Sequence, residues 1–489
     1  MSLKQKTVSG IFWSSVERFS IQGVQFVLGI IMARLLAPAD FGLVGMLTIF
    51  LAISQSIIDS GFSNALIRKK NRTEADFSTV FYFNIVIGLF FYLILFFASP
   101  YIAAFYNTPI LESLTKVVAL TIFINSFSIV QDAKFTINVD FKTLTKASLL
   151  SAFISGAVGI VLAYRGFGVW ALAVQSITGS CVRLVTLWIY SGWRPQKVFS
   201  ITSFKEMFSY GSKMLLSGLI NTIYSNMFTL VIGKKFTKAD VGYYNRANVY
   251  TYFFSSNITS ILQRVTFPIL STIQDEDERL KETYRRFLRL SAFVVFPLMM
   301  GLCSLADPLI RFLLTEKWVG AILLLQILCL SGMWYPIHSI NLNLLQVKGR
   351  SDLFLRVEII KKIIGVLILV ITIPLGVAAM CWGGVISSLI ALFINTYYTG
   401  KLIQLGYIKQ MKDLLPVLGL SFSMGLIVWG ITQLIHINLL ALIIGGSVGT
   451  IYYFSVARIT KSQELQEVRV ILDMLRKKVN FRKSKNNFL

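Results

Sequence analysis

The chain has 489 residues, of which 55% are hydrophobic and only 14% charged, with 47 Lys and Arg against 23 Asp and Glu for a net charge of +24. So little charge beside so much apolar character excludes a disordered chain and a soluble multidomain enzyme, in which about 25% of residues are charged. Cys181, Cys303, Cys329 and Cys381 are single, widely spaced and set in apolar segments, so neither a disulfide framework nor a cysteine metal site is indicated. The apolar runs are continuous rather than alternating, which selects membrane helices over a barrel.

Runs of about 20 apolar residues fall in chain order at 11–33, 43–62, 77–98, 113–130, 144–164, 168–190, 211–232, 250–271, 287–306, 320–340, 353–373, 376–399, 415–435 and 438–457. The expected fold is an all-α integral membrane protein of about 14 transmembrane helices; twelve remains open if two weak runs are miscounted. With the N-terminus placed in the cytoplasm, only Arg34, Arg165, Lys234, Lys235, Lys238, Arg246, Arg311 and Lys317 fall in outer segments. Four more, Arg18, Lys116, Arg183 and Arg264, are set apart as lying inside runs, and every other Lys and Arg is counted with the cytoplasmic segments, which extend into the starts of some runs. This bias puts both termini of a multi-pass membrane protein in the cytoplasm. It also accounts for the net charge without any nucleic-acid partner.

The one water-facing connection of any size is 272–290, too short for a soluble catalytic domain. GxxxxGK[ST] and HExxH are both absent, which argues against an ATPase and a zinc protease. No enzyme activity, cofactor or metal is expected. After residue 460, Leu465, Val468, Leu472, Leu475 and Val479 line one side of a helix, followed by RKKVNFRKSK. This basic amphipathic tail, 461–489, reads as lying on anionic membrane lipids; a partner-binding helix and a solvent-exposed end are the alternatives.

Two halves repeat. IIMARLLAPADFGLVG (30–45) is echoed by LVIGKKFTKADVGYYN (230–245), which aligns Asp40 with Asp240 and Gly42 with Gly242. A weaker echo aligns Gly168 with Gly376. The first run matches the seventh, so the halves share one orientation. The expected organisation is an N-terminal lobe at 1–200 with spans one to six and a second lobe at 201–400 with spans seven to twelve. Two additional spans at 401–460 and the tail follow, and the two parallel-repeat lobes flank a central cavity suited to alternating access. Asp40 and Asp240 are placed to accept free N–H groups at the start of a helix, and Gly42 and Gly242 to allow close chain approach, so these four read as caps or hinges.

Ionisable groups inside spans are costly and mark a cavity or a partner. Arg18, Gln22 and Gln25 share one helical face and read as cavity-lining, the alternative being that Arg18 pairs locally. Arg183 lies deep in the sixth span, and Asn257 and Arg264 lie in the eighth. Glu358 is spaced for local pairing with Lys361 or Lys362.

The opening SGIFWSSVERFSIQGVQFVLGIIMARLLAPADFGLVG, the stretch SIIDSGFSNALIRKK (56–70), the DVGYYNRA block (240–247) and FPILSTIQDEDERLKETYRRFLR (267–289) resemble Wzx-like bacterial polysaccharide flippases of the O-antigen, colanic-acid and teichuronic-acid type. These belong to the multidrug/oligosaccharidyl-lipid/polysaccharide flippase superfamily. The resemblance covers about residues 6–460, through motifs that are structural rather than catalytic. It implies two helical lobes around a cavity and a polyprenyl-pyrophosphate-linked oligosaccharide as substrate. Polysaccharide polymerase and glycosyltransferases are the implied partners. The resemblance also implies a place in the bacterial inner membrane. For a pyrophosphate head, Arg18, Arg264 and Arg183 read from this sequence as a cationic patch, positions that the resemblance does not itself carry over. A cation-coupled multidrug exporter of the same superfamily is the alternative; it would use proton or sodium coupling, for which Glu17 and Asp59 are the available acids. A non-transport membrane scaffold for envelope synthesis is the other.

Overall fold

The computed structural model describes residues 20–59 and 62–468, and they form helices and short connections throughout. The chain divides into two compact units at Asn245 and Arg246.

The first unit opens with α1 (Ser20–Leu35), α2 (Pro38–Asp59), α3 (Phe62–Arg68) and α4 (Glu74–Phe105). A bent succession follows, α5 (Ile110–Val118), α6 (Leu120–Ser126) and α7 (Ile129–Ile137), then the hairpin α8 (Phe141–Tyr164) and α9 (Val169–Ser191). The long α10 (Ile201–Lys235) leads to α11 (Lys238–Thr272), inside which the division falls. The helix starts are chemically specified. Thr73 and Asp76 form a reciprocal capping box at α4, and the Asp140 carboxylate accepts the Thr143 N–H at 3.1 Å to open α8.

The second unit continues with α12 (Asp277–Ser304), α13 (Ala306–Leu314), α14 (Gly320–Gly332) and α15 (Tyr335–Val347). A second hairpin, α16 (Ser351–Thr372) and α17 (Val377–Ile403), precedes α18 (Tyr407–Leu434) and α19 (Asn438–Ile459). The element order of α10 to α17 thus retraces that of α1 to α9. Gly168 and Gly376, aligned by the weaker echo, both adopt positive φ (+53° and +100°) immediately before α9 and α17. Only glycine takes that conformation at no steric cost.

Small residues bring the helices together, as membrane packing requires. The Ser151 hydroxyl on α8 donates to the Gly179 carbonyl on α9 at 2.7 Å, and the Ser304 hydroxyl on α12 donates to Gly425 on α18 at 2.8 Å. Large apolar side chains such as Phe97, Ile189 and Ile371 stand about 70% exposed on the outside of the helices, the surface a hydrocarbon environment covers.

Among the described residues, nine helices are long and apolar enough to cross a membrane; the pair Ile110–Ser126 and Ile129–Ile137, bent by 42°, makes a tenth if it is one span. The protein is therefore an all-α, multi-pass membrane protein with fewer unmistakable spans than the 14 expected. Helices α1, α10, α11 and α16 account for the difference. In α16 the reason is plain: Arg356, Glu358, Lys361 and Lys362 all lie within seven residues of one another.

At the basic end of the first unit, Lys69 donates to Asp76 and to Glu206, each at 2.9 Å, tying the α3–α4 connection to α10. The two carboxylates, Asp76 first, hold the Lys69 ammonium above the ordinary lysine value.

The tail begins as a docked segment. Leu465 is buried, Glu467 pairs with Arg286 at 2.8 Å, Glu464 lies 3.8 Å from Arg289, and Gln463 accepts from Arg289 at 3.1 Å. The first turns beyond residue 460 are thereby fastened to α12; the basic stretch after residue 468 lies outside the described residues. Arg286→Glu should free this segment and raise its cleavage rate by added protease, and Arg286→Glu/Glu467→Arg should restore protection. Equal cleavage of the single variant and the native chain would refute the docking.

Candidate substrate path and hinge

The aspartate–glycine turns have a specific geometry. The Asp40 carboxylate accepts the Ala37 N–H at 3.0 Å; Asp240 accepts the Thr237 N–H at 3.0 Å and its hydroxyl at 2.7 Å, while the Thr237 hydroxyl accepts the Asp240 N–H at 3.2 Å. Both aspartates sit in the first turn of their helices, which start earlier than the sequence reading placed them, at Pro38 and Lys238. A carboxylate there meets the positive end of the helix dipole.

The two glycines then do something reciprocal. A Cβ on Gly42 would lie 1.7 Å from the Lys238 carbonyl oxygen, and a Cβ on Gly242 would lie 2.1 Å from that of Pro38. The starts of α2 and α11 therefore lie back to back within the first unit, each glycine against the other repeat's first carbonyl. Gly45 extends the seam, with the Asn245 amide 2.2 Å from where its Cβ would stand. Backbone approach this close leaves no rotamer by which a larger side chain escapes.

The predicted charged and polar residues are distributed as follows. Glu17 and Arg18 lie outside the described residues. Asp59 is the last residue of α2. Gln22, half-buried on α1, has a buried Oε1 without a hydrogen-bond partner, and Gln25 on the same helix is exposed. Arg183 is locally committed: it donates to Asp132 on α7 at 2.6 Å and to the Ser148 hydroxyl on α8. In the second unit Asn257 is buried on α11; its amide donates to the Phe253 carbonyl at 2.7 Å and its Oδ1 has no partner. Arg264, two turns further on, is exposed, and its neighbour Gln263 donates to the Ser339 hydroxyl on α15. Glu358 and Lys361 form the local ion pair expected from their spacing.

Two polar clusters in the second unit escaped the sequence reading. The Thr399 hydroxyl donates to Asn341 Oδ1 at 2.7 Å, and the Asn341 and Gln410 amides exchange hydrogen bonds at 3.2 Å, joining α15, α17 and α18. His338 contacts the Ser388 hydroxyl at 2.9 Å and the Asn395 amide at 3.2 Å. The available signal was the stripe Ser388, Asn395 and Thr399, which recurs at helical spacing inside an apolar run. Among the described residues no three His, Cys, Asp or Glu side chains converge as a metal site.

Helices of this length and apolarity, joined by capped turns and packed through small residues, define an all-α multi-pass membrane protein. The fold matches that of the lipid II flippase MurJ in an inward closed conformation, with TM-score 0.75 and 15% identity over 92% of this chain and 98% of that one. It also matches an inward-facing multidrug resistance MATE family transporter of the MOP superfamily, with TM-score 0.64 and 18% identity over 80% of this chain and 98% of that one.

The family follows from the sequence comparison: the model of the polysaccharide biosynthesis protein family matches residues 31–323, and the chain belongs to that family. It is 26% identical to the teichuronic acid biosynthesis protein TuaB of Bacillus subtilis, over 88% of this chain and 90% of that one. It is 27% identical to the lipopolysaccharide biosynthesis protein WzxC of Escherichia coli, over 86% and 84%. It is 26% identical to the succinoglycan biosynthesis transport protein ExoT of Rhizobium meliloti, over 68% and 67%. The resemblance read from the motifs is borne out.

Proposed function

We propose that the protein is a flippase, not an enzyme: it carries a polyprenyl-pyrophosphate-linked oligosaccharide from the cytoplasmic to the outer leaflet by alternating access, in polysaccharide biosynthesis. The observation that carries this reading is membership of the polysaccharide biosynthesis family in a chain that shares, over 92% of its length, the fold of a lipid II flippase. On this reading the polar helices α1, α10, α11 and α16 are spans that border the substrate path. Counted with them, the bent succession and the apolar helices make fourteen spans with both ends in the cytoplasm. The repeats form two halves of like orientation, and α18 and α19 are additions. Arg18 and Arg264 meet the pyrophosphate, and Gln22, Gln25 and Asn257 meet sugar hydroxyls. Arg183, neutralised by Asp132, joins α9 to α7 and does not itself meet the pyrophosphate. The aspartate–glycine seam is the joint that opens and closes. Coupling to protons or sodium through Glu17 and Asp59 belongs to the same proposal.

Reconstitution into liposomes with a polyprenyl-pyrophosphate oligosaccharide tests it. Glycan should become accessible from the opposite leaflet faster than in empty liposomes, and an imposed proton or sodium gradient should change the rate if coupling exists. No acceleration with any glycan or gradient would overturn the flippase reading.

A further inference from the structure

A pocket of about 600 Å³ in the second unit is not used by the transport reading. One wall carries Asp307, Arg311 and Glu316, the other Trp429, Gln433 and His436. Its loops, 315–319 and 435–437, fall on the side poor in Lys and Arg, the outer side of the topology proposed above.

The first wall is built at a cost in backbone geometry. Arg311 and Asp307 are one turn apart on α13, with Nε donating to Oδ1 at 2.9 Å; a second guanidinium N–H donates to Glu316. Glu316 is delivered by Thr315, whose φ of 79° and ψ of 174° lie in a region that is essentially glycine's alone. Thr315 is β-branched, and its hydroxyl is buried without a partner. Strain of this kind persists where the surrounding structure demands it and clusters at ligand sites. Two carboxylates on one guanidinium leave the wall net negative, which disfavours a phosphate or an anionic headgroup and leaves carboxylate lone pairs to accept hydroxyls.

The second wall is complementary in another sense. Trp429 and Gln433 lie one turn apart on α18, and Trp429 is 52% exposed. Gln433, His436 and the neighbouring Gln326 make no side-chain hydrogen bond among the described residues. An aromatic face beside uncommitted amides, opposite carboxylates, matches a sugar ring, which presents an apolar C–H face and a rim of hydroxyls that donate and accept. The volume is that of ordinary small-molecule sites, about 300–1,000 Å³.

We propose that this pocket is a saccharide-binding site for a neutral oligosaccharide at the outer end of the second unit. It rests on the flippase reading for the source of the sugar and on the proposed topology for the outer side: the glycan leaving the transport path would be held here while the lipid carrier remains in the membrane.

The test uses the full chain in nanodiscs, with maltotriose and N,N′,N″-triacetylchitotriose as probes and saturation-transfer NMR as the readout. At least one probe should bind the native protein. Trp429→Ala and the exposed Gln433→Ala should each weaken it by about tenfold, the loss of one good hydrogen bond or contact. Thr315→Gly, which suits the turn, should retain binding. No binding of either probe, or equal binding by Trp429→Ala and Gln433→Ala, overturns the site. So does retention of phosphatidylethanolamine that depends on Trp429 in the absence of a sugar signal, which would assign the pocket to a lipid. Liposome transport separates the two proposals. Sugar binding without transport removes the flippase reading and keeps the pocket, whereas transport without sugar binding does the reverse.

Discussion

Gly42→Ala and Gly242→Ala should each slow glycan transport severely in protein that still inserts in the membrane. Ordinary overpacking costs about 1–3 kcal/mol, roughly 5–150-fold in an equilibrium. Here the obstructing atoms are backbone carbonyls at 1.7 and 2.1 Å from the added carbon, so no side chain can turn aside and the cost falls at the upper end. The state in which α2 and α11 lie back to back is the one destabilised. Gly419→Ala and Gly430→Ala on α18, where nothing stands within 4 Å of the added carbon, are the matched controls and should be silent. Liposome transport by the four variants, normalised to inserted protein, measures this. Native rates in both Gly42→Ala and Gly242→Ala would remove the seam from the mechanism.

The second large effect is expected from the arginines, and the three candidates should behave differently. Arg264 is exposed on α11, and Arg18, outside the described residues, is spaced in the sequence four and seven residues before Gln22 and Gln25. If both meet the pyrophosphate, Arg18→Ala and Arg264→Ala should each reduce transport by roughly ten- to a hundredfold at unchanged abundance, since charge-assisted bonds to phosphate are worth about 1.5–3 kcal/mol. Lysine should restore part of the rate at either position, because the charge returns without the bidentate fork. Arg183→Ala has a different expected signature. It strands the Asp132 carboxylate, 2.6 Å from the guanidinium in the native chain, among membrane helices. The amount of folded protein should therefore fall, and Asp132→Asn in the same chain should restore it. Transport lost in Arg183→Ala/Asp132→Asn at full abundance would instead place Arg183 at the substrate.

Several features were legible without coordinates because they depend on local or averaged properties. Continuous apolar runs specify helices that only a membrane accommodates, and the one-sided distribution of Lys and Arg supports an orientation. The repeat at 30–45 and 230–245 picked out Asp40, Gly42, Asp240 and Gly242 as residues of structural weight, and spacing alone predicted a local pair for Glu358 with Lys361 or Lys362, of which the structure forms the first. The span count was less legible. In α16 the charges of a polar face dilute the apolar signal that the expectation of 14 spans relied upon.

Partner identity belongs to tertiary structure. Arg183 finds Asp132 and Ser148 51 and 35 residues away, Asn341 finds Gln410 at a separation of 69, and Arg286 reaches Glu467 across most of the second unit. An apolar stripe of given width is satisfied by many helix neighbours, so periodicity says that a face is covered and not by what. The same holds for the strained turn at Thr315, whose sequence carries no glycine to announce it. The chain alone therefore specified a basic, helical, internally repeated membrane protein with two capped glycine turns. Packing alone decided that each turn lies against the other's carbonyl, because backbone proximity between segments 200 residues apart is set by how whole helices pack and by nothing in the turns themselves.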